Sequence, residues 1–249
     1  MEIFDTHRKR LMGIAYRMLG TRSDAEDILQ DAYVKWMQSD ASEIRNPAAW
    51  LVSVVTRLSI DRLRAAKAER EHYVGQWIPE PWVTEHVPPA EQPLEMAGDI
   101  SVAFLMVLER LAPEERAAFL LKTVFDFDYP EIAQMLGKSG DACRQLVHRA
   151  RQRVKLDRPR FEVSREAHLE LLGRFIEAAR SGKREKLTAL FSEDVTLTGD
   201  GGGKVLSVLR PLRGPERVAA LFCAIRKRLG ERMGFRVAEI NGVPGILRD

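Results

Sequence analysis

Apolar positions in the first 70 residues recur at the spacing of amphipathic helices. Gly20 is expected to end the first helix, Ser23 and Glu26 match a capping box that opens a second, and Pro47 marks the start of a third. The apolar stripes of these helices contain Leu11, Ile14, Ala15, Met18 and Leu19, then Ile28, Leu29, Ala32, Tyr33 and Trp36, then Trp50, Leu51, Val54, Val55, Leu58 and Leu63. The pattern predicts an all-helical domain over residues 1–76.

Residues 77–98 break the helical pattern. Five prolines fall within 77–93, and residues 72–99 contain no Lys or Arg but five acidic side chains. Because proline lacks a backbone donor and opposes helix, the segment is predicted to be an extended acidic linker. Trp77 and Trp82 are large apolar surfaces for a free linker, so we expect both to dock on a neighbouring domain, the alternative being a polyproline spacer with incidental aromatics.

Four further helices are predicted near 99–111, 113–125, 130–136 and 139–156, which define an all-helical domain over 99–160. Pro113 and Pro130 suit first helical turns, Gly137 supplies a tight stop and Ser139 is a good N-cap. A short helix, a glycine turn and a longer basic helix form the layout of a helix-turn-helix.

Beyond residue 160 the pattern becomes mixed. Helices are predicted at 164–181, 183–191 and 214–229, and a strand at 234–240. Residues 195–198 and 205–209 flank a glycine-rich loop, which predicts a hairpin. Residues 161–249 are therefore expected to form a small α+β domain. The loop, Asp200-Gly-Gly-Gly-Lys204, lacks the spacing and flanking elements of a phosphate-binding loop, so we interpret it as a hairpin turn or a regulatory contact.

Composition narrows the class of protein. The 249 residues carry a net charge of +3, with no apolar run long enough to cross a membrane and no pattern of a secretory signal. The two cysteines, Cys143 and Cys223, exclude a disulfide scaffold and fit the reducing cytoplasm. No metal-binding or serine-hydrolase motif occurs, so we expect no metal, no cofactor and no catalytic residue.

Charge is strongly patterned despite the small total. The second helix carries Asp24, Glu26, Asp27 and Asp31, which give it an acidic face. Residues 138–160 hold eight basic side chains against two acidic ones. Such a cluster is either a solvated helix face or a contact to nucleic acid, in which arginine and glutamine identify bases and arginine also binds phosphate.

Several motifs together resemble the extracytoplasmic-function (ECF) sigma factors of bacterial RNA polymerase, in the subgroup with a SnoaL-like C-terminal extension. Asp24-Ala-Glu-Asp-Ile-Leu-Gln-Asp31 and Asn46-Pro-Ala-Ala-Trp-Leu51 resemble sigma region 2. Leu111-x-Pro-x-Glu-Arg116, Glu131-Ile-Ala-Gln-Met-Leu-Gly137 and His148-Arg-Ala-Arg151 resemble region 4. Trp77-Ile-Pro-Glu-Pro81, Asp200-Gly-Gly-Gly-Lys204 and Asn241-Gly-Val-Pro244 are similar to marks of the SnoaL-bearing subgroup.

The resemblance implies a non-enzymatic initiation factor that binds core RNA polymerase, through the β′ clamp coiled coil and the β flap, and promoter DNA. The implied polymerase-binding residues are Asp24, Glu26, Asp27, Gln30 and Asp31. Those implied for the −10 element are Arg45, Asn46, Trp50, Arg57, Arg62 and Arg64, and those for the −35 element are Ser139, Arg144, Gln145, His148 and Arg149.

The extension is expected to adopt a ketosteroid-isomerase-like fold and to act inside the chain in place of an anti-sigma factor. Its implied regulatory contacts are Trp77, Pro79, Trp82, Asp200, Lys204, Asn241 and Pro244. Because the chain ends at Asp249, soon after Pro244, the α+β domain is expected to be incomplete. Two alternatives remain open: a helix-turn-helix regulator with a ligand-binding domain, and an isomerase-like enzyme fused to a DNA-binding domain.

Overall fold

The computed structural model describes residues 2–40, 42–70, 77–84, 101–155, 164–202, 207–230 and 234–248. They divide into two units. The first contains the described residues of 2–70, 79–82 and 101–155, and the second contains those of 77–78, 83–84 and 164–248. Most of the acidic linker, Lys204 and Asp249 lie outside the described residues.

Seven helices build the described part of the first unit. They are α1 (Glu2–Leu19), α2 (Arg22–Gln38), α3 (Pro47–Arg70), α4 (Val102–Leu108), α5 (Pro113–Thr123), α6 (Tyr129–Leu136) and α7 (Gly140–Lys155). Gly20 ends α1 with a φ of 76°, as predicted. The predicted cap of α2 is wrong: Thr21 is the N-cap, its side chain accepts from the Asp24 N–H, and Ser23 lies inside the helix.

One hydrophobic core runs through all seven helices. Leu29 of α2, Leu51 of α3, Leu105 of α4, Leu120 of α5 and Val147 of α7 are each at most 2% exposed and belong to the same cluster. The described residues of 2–70 and 101–155, which were predicted to lie in separate domains, therefore share one core. The four arginines of α7 nevertheless stay exposed, because the buried positions of the helix are apolar.

The turn between α6 and α7 follows the predicted chemistry. Asp128 and Glu131 form a capping box at the start of α6. Gly137 ends α6 in the left-handed region with a φ of 63°, and the Ser139 hydroxyl accepts from the Ala142 N–H at 3.2 Å at the start of α7. This local pairing of caps sets α7 at a fixed angle to α6.

The described part of the second unit contains three helices and two small sheets. The helices are α8 (Arg165–Ser181), α9 (Arg184–Thr188) and α10 (Pro215–Leu229), and the strands are β1 (Val83–Thr84), β2 (Thr196–Leu197), β3 (Leu212–Arg213), β4 (Phe235–Ile240) and β5 (Val243–Arg248). Ala178, Ala179, Leu187 and Ala219 form its small core, with Phe175, Phe191 and Phe222 packed around it.

The strand pairing differs from the predicted hairpin. β2 pairs antiparallel with β3, whereas residues 207–209, predicted as strand, are not in a strand. The larger sheet has the order β1-β4-β5, so a piece of the predicted linker forms its edge strand. Asn241 and Gly242 connect β4 to β5 with φ of 54° and 77°, the two positive values that a tight hairpin turn requires.

The left-handed turn at Gly137 gives a stability prediction. Gly137→Ala should lower the free energy of unfolding by about 1–2 kcal/mol, because a Cβ is disfavoured at positive φ although nothing lies within 4 Å of it. Gly140→Ala in the first turn of α7 is the matched control and should be neutral or stabilising. Urea unfolding measures both. Equal effects of the two variants would contradict the prediction.

Candidate nucleic-acid interface

Four of the six residues predicted for the −10 element lie around one cleft. Arg45, Asn46, Trp50 and Arg57 line a space of about 880 Å³ at the loop before α3 and along its first turns. The Asn46 side chain accepts from the Ala49 N–H at 3.1 Å and thereby fixes the start of α3. Trp50 packs on Trp36 of α2 with ring centroids 5.6 Å apart, while Arg45 is exposed. The cleft thus combines an aromatic surface with cationic and amide groups.

Helix α6 also contributes to the wall of this cleft. Glu131, Gln134 and Met135 of α6 line it as well. The Arg57 guanidinium donates to the carbonyls of Met135 at 2.7 Å and Gln134 at 3.1 Å. These carbonyls belong to the last turn of α6, where the helix dipole favours a cation.

A second contact joins α3 to α5. Arg64 donates to Glu114 at 2.6 Å and to Asp61 at 3.2 Å. Burial alone raises the pKa of the Glu114 carboxyl, but the hydrogen bond from Arg64, a backbone hydrogen bond and the charges of Arg64 and Lys138 together outweigh it, so this pKa lies below its ordinary value of 4.5. The Glu114 hydrogen bond and charge in turn raise the pKa of Arg64. We define the contacts of Arg57 and Arg64 with α6 and α5 as the α3 seam.

Arg62 lies apart from the cleft lining. Its Nε donates to Asp24 at 2.9 Å, and Asp24 also accepts from the Thr21 hydroxyl at 2.8 Å. A residue predicted for DNA and one predicted for polymerase are therefore paired with each other. This pair fastens α3 to the beginning of α2.

The outer face of α7 presents most of the residues predicted for the −35 element. Gln145, His148 and Arg149 are exposed, and Arg144 pairs with Asp141 and lies 5.7 Å from the Tyr129 ring centroid. Ser139 caps the helix. Cys143 is buried on the opposite face, and that burial raises the pKa of its thiol despite the nearby charges of Lys138 and Arg144. The helix thus buries an apolar stripe and exposes a polar one.

Glu115, which the sequence placed in the Leu111–Arg116 motif without a role of its own, holds two of the α7 arginines. Its carboxylate is 6% exposed and accepts from Arg149 Nε at 2.9 Å and from Arg153. It also accepts from the Ala112 N–H at 3.3 Å. The sequence signal for it is its place as the third residue of α5, where a Glu side chain can return to the helix start.

The acidic helix α2 exposes Asp27, Gln30 and Asp31, while Glu26 pairs with Arg22 at 2.7 Å. The exposed apolar side chains Val34 and Met37 follow on the same helix, 50% and 62% exposed. Neither of these two was predicted from the sequence. Val34 follows Asp31 by three residues and Met37 follows Val34 by three, and this helical spacing is a signal that could have identified them.

The linker residues lie in specific contacts. In the first unit, Pro79 is buried against Gly20, and Trp82 meets Tyr16 edge-on at 5.2 Å with Arg22 over its ring. In the second unit, Trp77 is half-buried and the Ile78 N–H donates to Asp200 at 2.9 Å.

The remaining predicted regulatory residues lie on the larger sheet. Val83 and Thr84 pair with Ile240 and Glu239 of β4. Asn241 is 2% exposed in the turn next to this pairing, and Pro244 is buried on β5. The structure thus brings the linker strand and the Asn241–Pro244 motif together, whereas Lys204 lies outside the described residues.

Metal sites and membrane spans have no candidate in the described part of the chain. Among the described residues, no group of three or more His, Cys, Asp or Glu side chains could hold a metal ion. None of the helices described is both long and apolar enough to cross a membrane.

Comparisons with known proteins address the family directly. The family models Sigma-70 region 2 and Sigma-70, region 4 match residues 3–69 and 101–154. The ECF RNA polymerase sigma factor SigJ of Mycobacterium tuberculosis (strain ATCC 25618 / H37Rv) is 39% identical over 248 residues, which are 97% of this chain and 78% of the relative. The chain belongs to the ECF RNA polymerase sigma factors. A probable ECF sigma factor, SigI of M. tuberculosis (strain CDC 1551 / Oshkosh), is 31% identical over 191 residues, 76% of this chain and 66% of that relative.

A solved structure extends the similarity to the fold. The crystal structure of M. tuberculosis extracytoplasmic function sigma factor SigJ matches with a TM-score of 0.80 and 38% identity, over 98% of this chain and 82% of that one. The predicted fold class, two helical sigma regions followed by an α+β segment, is confirmed. ECF sigma factors are transcription initiation factors that bind core RNA polymerase and promoter DNA.

The lowered pKa of Glu114 gives a pH-dependent prediction for the α3 seam. A carboxyl whose folded-state pKa is depressed stabilises the fold above its unfolded pKa, and that stabilisation is lost as the pH falls through the folded value. Glu114→Gln should therefore be less stable than wild type at pH 7, and the difference should shrink below pH 4.5. Urea midpoints at about pH 7 and about pH 3.5 measure it, with Asp61→Asn as the control that leaves α5 untouched. A difference that does not vary with pH would contradict this origin.

Proposed function

We propose that α2, α3 and α7 each bind a different target of this ECF sigma factor. In this proposal α2 binds the clamp coiled coil of the polymerase β′ subunit, the cleft at α3 binds the separated −10 element, and α7 enters the major groove of the −35 element. The main support for this proposal is the geometry of α7. A capped glycine turn fixes this helix, its apolar stripe is buried and its polar stripe is exposed.

The polymerase contact is supported by the composition of the exposed face of α2. Asp27 and Asp31 supply negative charge beside the exposed apolar surfaces of Val34 and Met37. Complementary charge sets orientation and association rate, whereas buried apolar area supplies affinity. Asp24 and Glu26 support this face indirectly, since each is paired with an arginine of the chain.

The −10 contact is supported by the cleft. Trp50 offers a stacking surface for an unpaired base, and Arg45 and Asn46 lie at the same opening. Arg57 donates to α6 through Nε and one terminal nitrogen, and Arg64 donates to Glu114 of α5, so phosphate oxygens would compete with these acceptors for the same donors. We therefore propose that promoter binding exchanges the α3 seam for contacts to DNA, so that the arginines change partner without ever being buried unpaired.

For the −35 element, we propose that Gln145 contacts base edges and that Ser139 fixes the start of α7. Glutamine can pair with the N6 and N7 of adenine, and the first turns of such a helix contact the bases. No hydrogen bond holds the exposed Gln145 side chain within the described residues. The same region 4 is proposed to bind the β flap.

The extension is proposed to act in cis, in place of a separate anti-sigma factor. Support comes from the second unit, in which Asp200 holds the Ile78 N–H and β4 pairs with the linker strand β1. The proposal is for a regulatory, non-catalytic domain in a protein that works in the cytoplasm, where the polymerase is. The alternative of a plain helix-turn-helix regulator is not favoured, because it gives no role to the matched region 2.

Transcription with purified components tests the proposal. Core polymerase free of other sigma factors should produce promoter-dependent transcripts when this protein is added. Asp27→Lys with Asp31→Lys should weaken binding to β′ at least about tenfold, since two charges are reversed at the contact. Asp5→Lys, an exposed acidic residue on α1, is the control and should bind normally.

Two results would count against this proposal. A protein that binds duplex DNA but yields no transcript from any promoter selected with the holoenzyme would favour the plain regulator. Normal β′ binding by the double α2 variant would show that the polymerase contact is elsewhere.

The linker contact gives a separate prediction. Asp200→Ala removes the acceptor of the Ile78 N–H, so this amide should exchange with solvent about three to ten times faster, as expected for a bond worth about 1 kcal/mol. Asp194→Ala, an exposed residue of the same unit, should leave the exchange unchanged. Transcription by the Asp200 variant should differ from wild type. Faster exchange of the Ile78 amide with unaltered transcription would show that the Asp200 contact has no regulatory role.

A further inference from the structure

The Glu115 carboxylate lies behind the exposed face of α7 and joins two of its arginines. One oxygen accepts from Arg149 Nε at 2.9 Å and the other from Arg153, so each arginine has its own oxygen. The two arginines are four residues apart and therefore lie on the same face of α7. Both side chains remain half exposed, whereas the carboxylate is 6% exposed.

Because the Glu115 carboxylate is buried, separating it from its two arginines is unfavourable. A buried carboxylate that loses its cationic partners is costly, because its negative charge is neither solvated nor paired. The Ala112 N–H at 3.3 Å is the further donor to this carboxylate, and it is a weaker partner than a guanidinium. Arg149 and Arg153 are therefore held in one orientation and cannot move independently to follow a base sequence.

The contacts with Glu115 also determine where the two arginine side chains lie. Arg149 extends back from α7 to the first turn of α5, so its side chain lies along the flank of the helix. With Nε occupied, its terminal nitrogens still carry free donors, and so does the guanidinium of Arg153. Two cations around one anion leave a net positive charge at this flank, which suits a phosphate at the edge of the groove.

We propose that Glu115 is a positioning residue that holds Arg149 and Arg153 as one phosphate-binding pair beside the −35 groove. Arg149 then sets the register of α7 on the DNA, and Gln145 identifies bases. The inference rests on the proposed function and makes it more specific: the sequence placed Arg149 among the residues that meet the −35 element, where an arginine can contact bases or phosphate, and the proposal assigns it to phosphate.

Salt dependence separates a phosphate contact from a base contact. The holoenzyme is formed from core polymerase and the full chain, its preferred −35 sequence is selected from a randomised library, and affinity is measured for that duplex and for a scrambled one. Removing one phosphate contact should reduce the slope of log affinity against log salt by about 0.9, so that raising salt from about 50 to about 200 mM costs about threefold less affinity.

Arg149→Ala should weaken binding to both duplexes by the same factor and reduce the salt slope by about 1. Arg153→Ala should do the same. Gln145→Ala is the control and should weaken only the selected duplex, with its slope unchanged. An Arg149 variant that loses discrimination between the two duplexes while keeping the wild-type slope overturns the proposal.

Glu115→Gln should change DNA affinity in opposite directions if Glu115 acts only through its charge or if it positions the two arginines. Removing a negative charge near DNA would by itself strengthen binding, whereas losing the positioned pair weakens it on both duplexes and reduces the slope. We expect the weakening, with helicity and unfolding midpoint measured alongside. Stronger binding with an unreduced slope overturns the proposal, and if this variant does not fold, the two arginine variants decide.

Failure of the proposed function gives a different outcome. A wild-type holoenzyme that does not distinguish the selected from the scrambled duplex would remove the −35 assignment of α7. A wild type that distinguishes them, together with an Arg149 variant that does not, leaves the function intact and removes only the role of Glu115.

Discussion

The arrangement of the first unit depends on the hydrogen bonds of one buried guanidinium, that of Arg116. It is 2% exposed and donates to the Met18 carbonyl at 2.6 Å and to Glu109 at 2.8 Å. Met18 lies in the last turn of α1, where carbonyls lack helical partners, and Glu109 follows α4. One cation thus satisfies a helix end of region 2 and a carboxylate of region 4. The shared core could not close around these groups if either were left without a partner.

The same sharing of partners explains why the proposed binding surfaces are not free. Arg57 and Arg64 stabilise the α3 seam, and Arg149 and Arg153 compensate a buried carboxylate. Cationic side chains suited to phosphate are also suited to helix carbonyls and carboxylates, since both present oxygen acceptors. The proposed exchange of oxygens at the α3 seam would change contacts without exposing an unsatisfied charge, whereas the proposed role of Glu115 requires that it keep both arginines.

In the second unit, the predicted regulatory motifs act through the backbone. Asp200 accepts from the Ile78 N–H, and its other oxygen accepts from the Gly202 N–H. Asn241 supplies a positive φ that lets β4 turn into β5, next to the pairing of β4 with β1. These residues are therefore needed for local geometry, and their proposed regulatory effect follows from the linker segment that this geometry holds.

Features that depend on near neighbours in the chain could be predicted before the fold was known: helical periodicity, the glycine stop at Gly137, the Ser139 cap and the polar stripe of α7. Each involves residues within a few positions of one another, so neighbouring chemistry suffices to predict it. The partners of Arg57, Arg64 and Glu115, the pairing of β2 with β3, and the common core of the seven helices emerged only from the folded chain. Those contacts join residues 15 to more than 70 positions apart, and their energies depend on burial and on distances that a linear pattern does not contain.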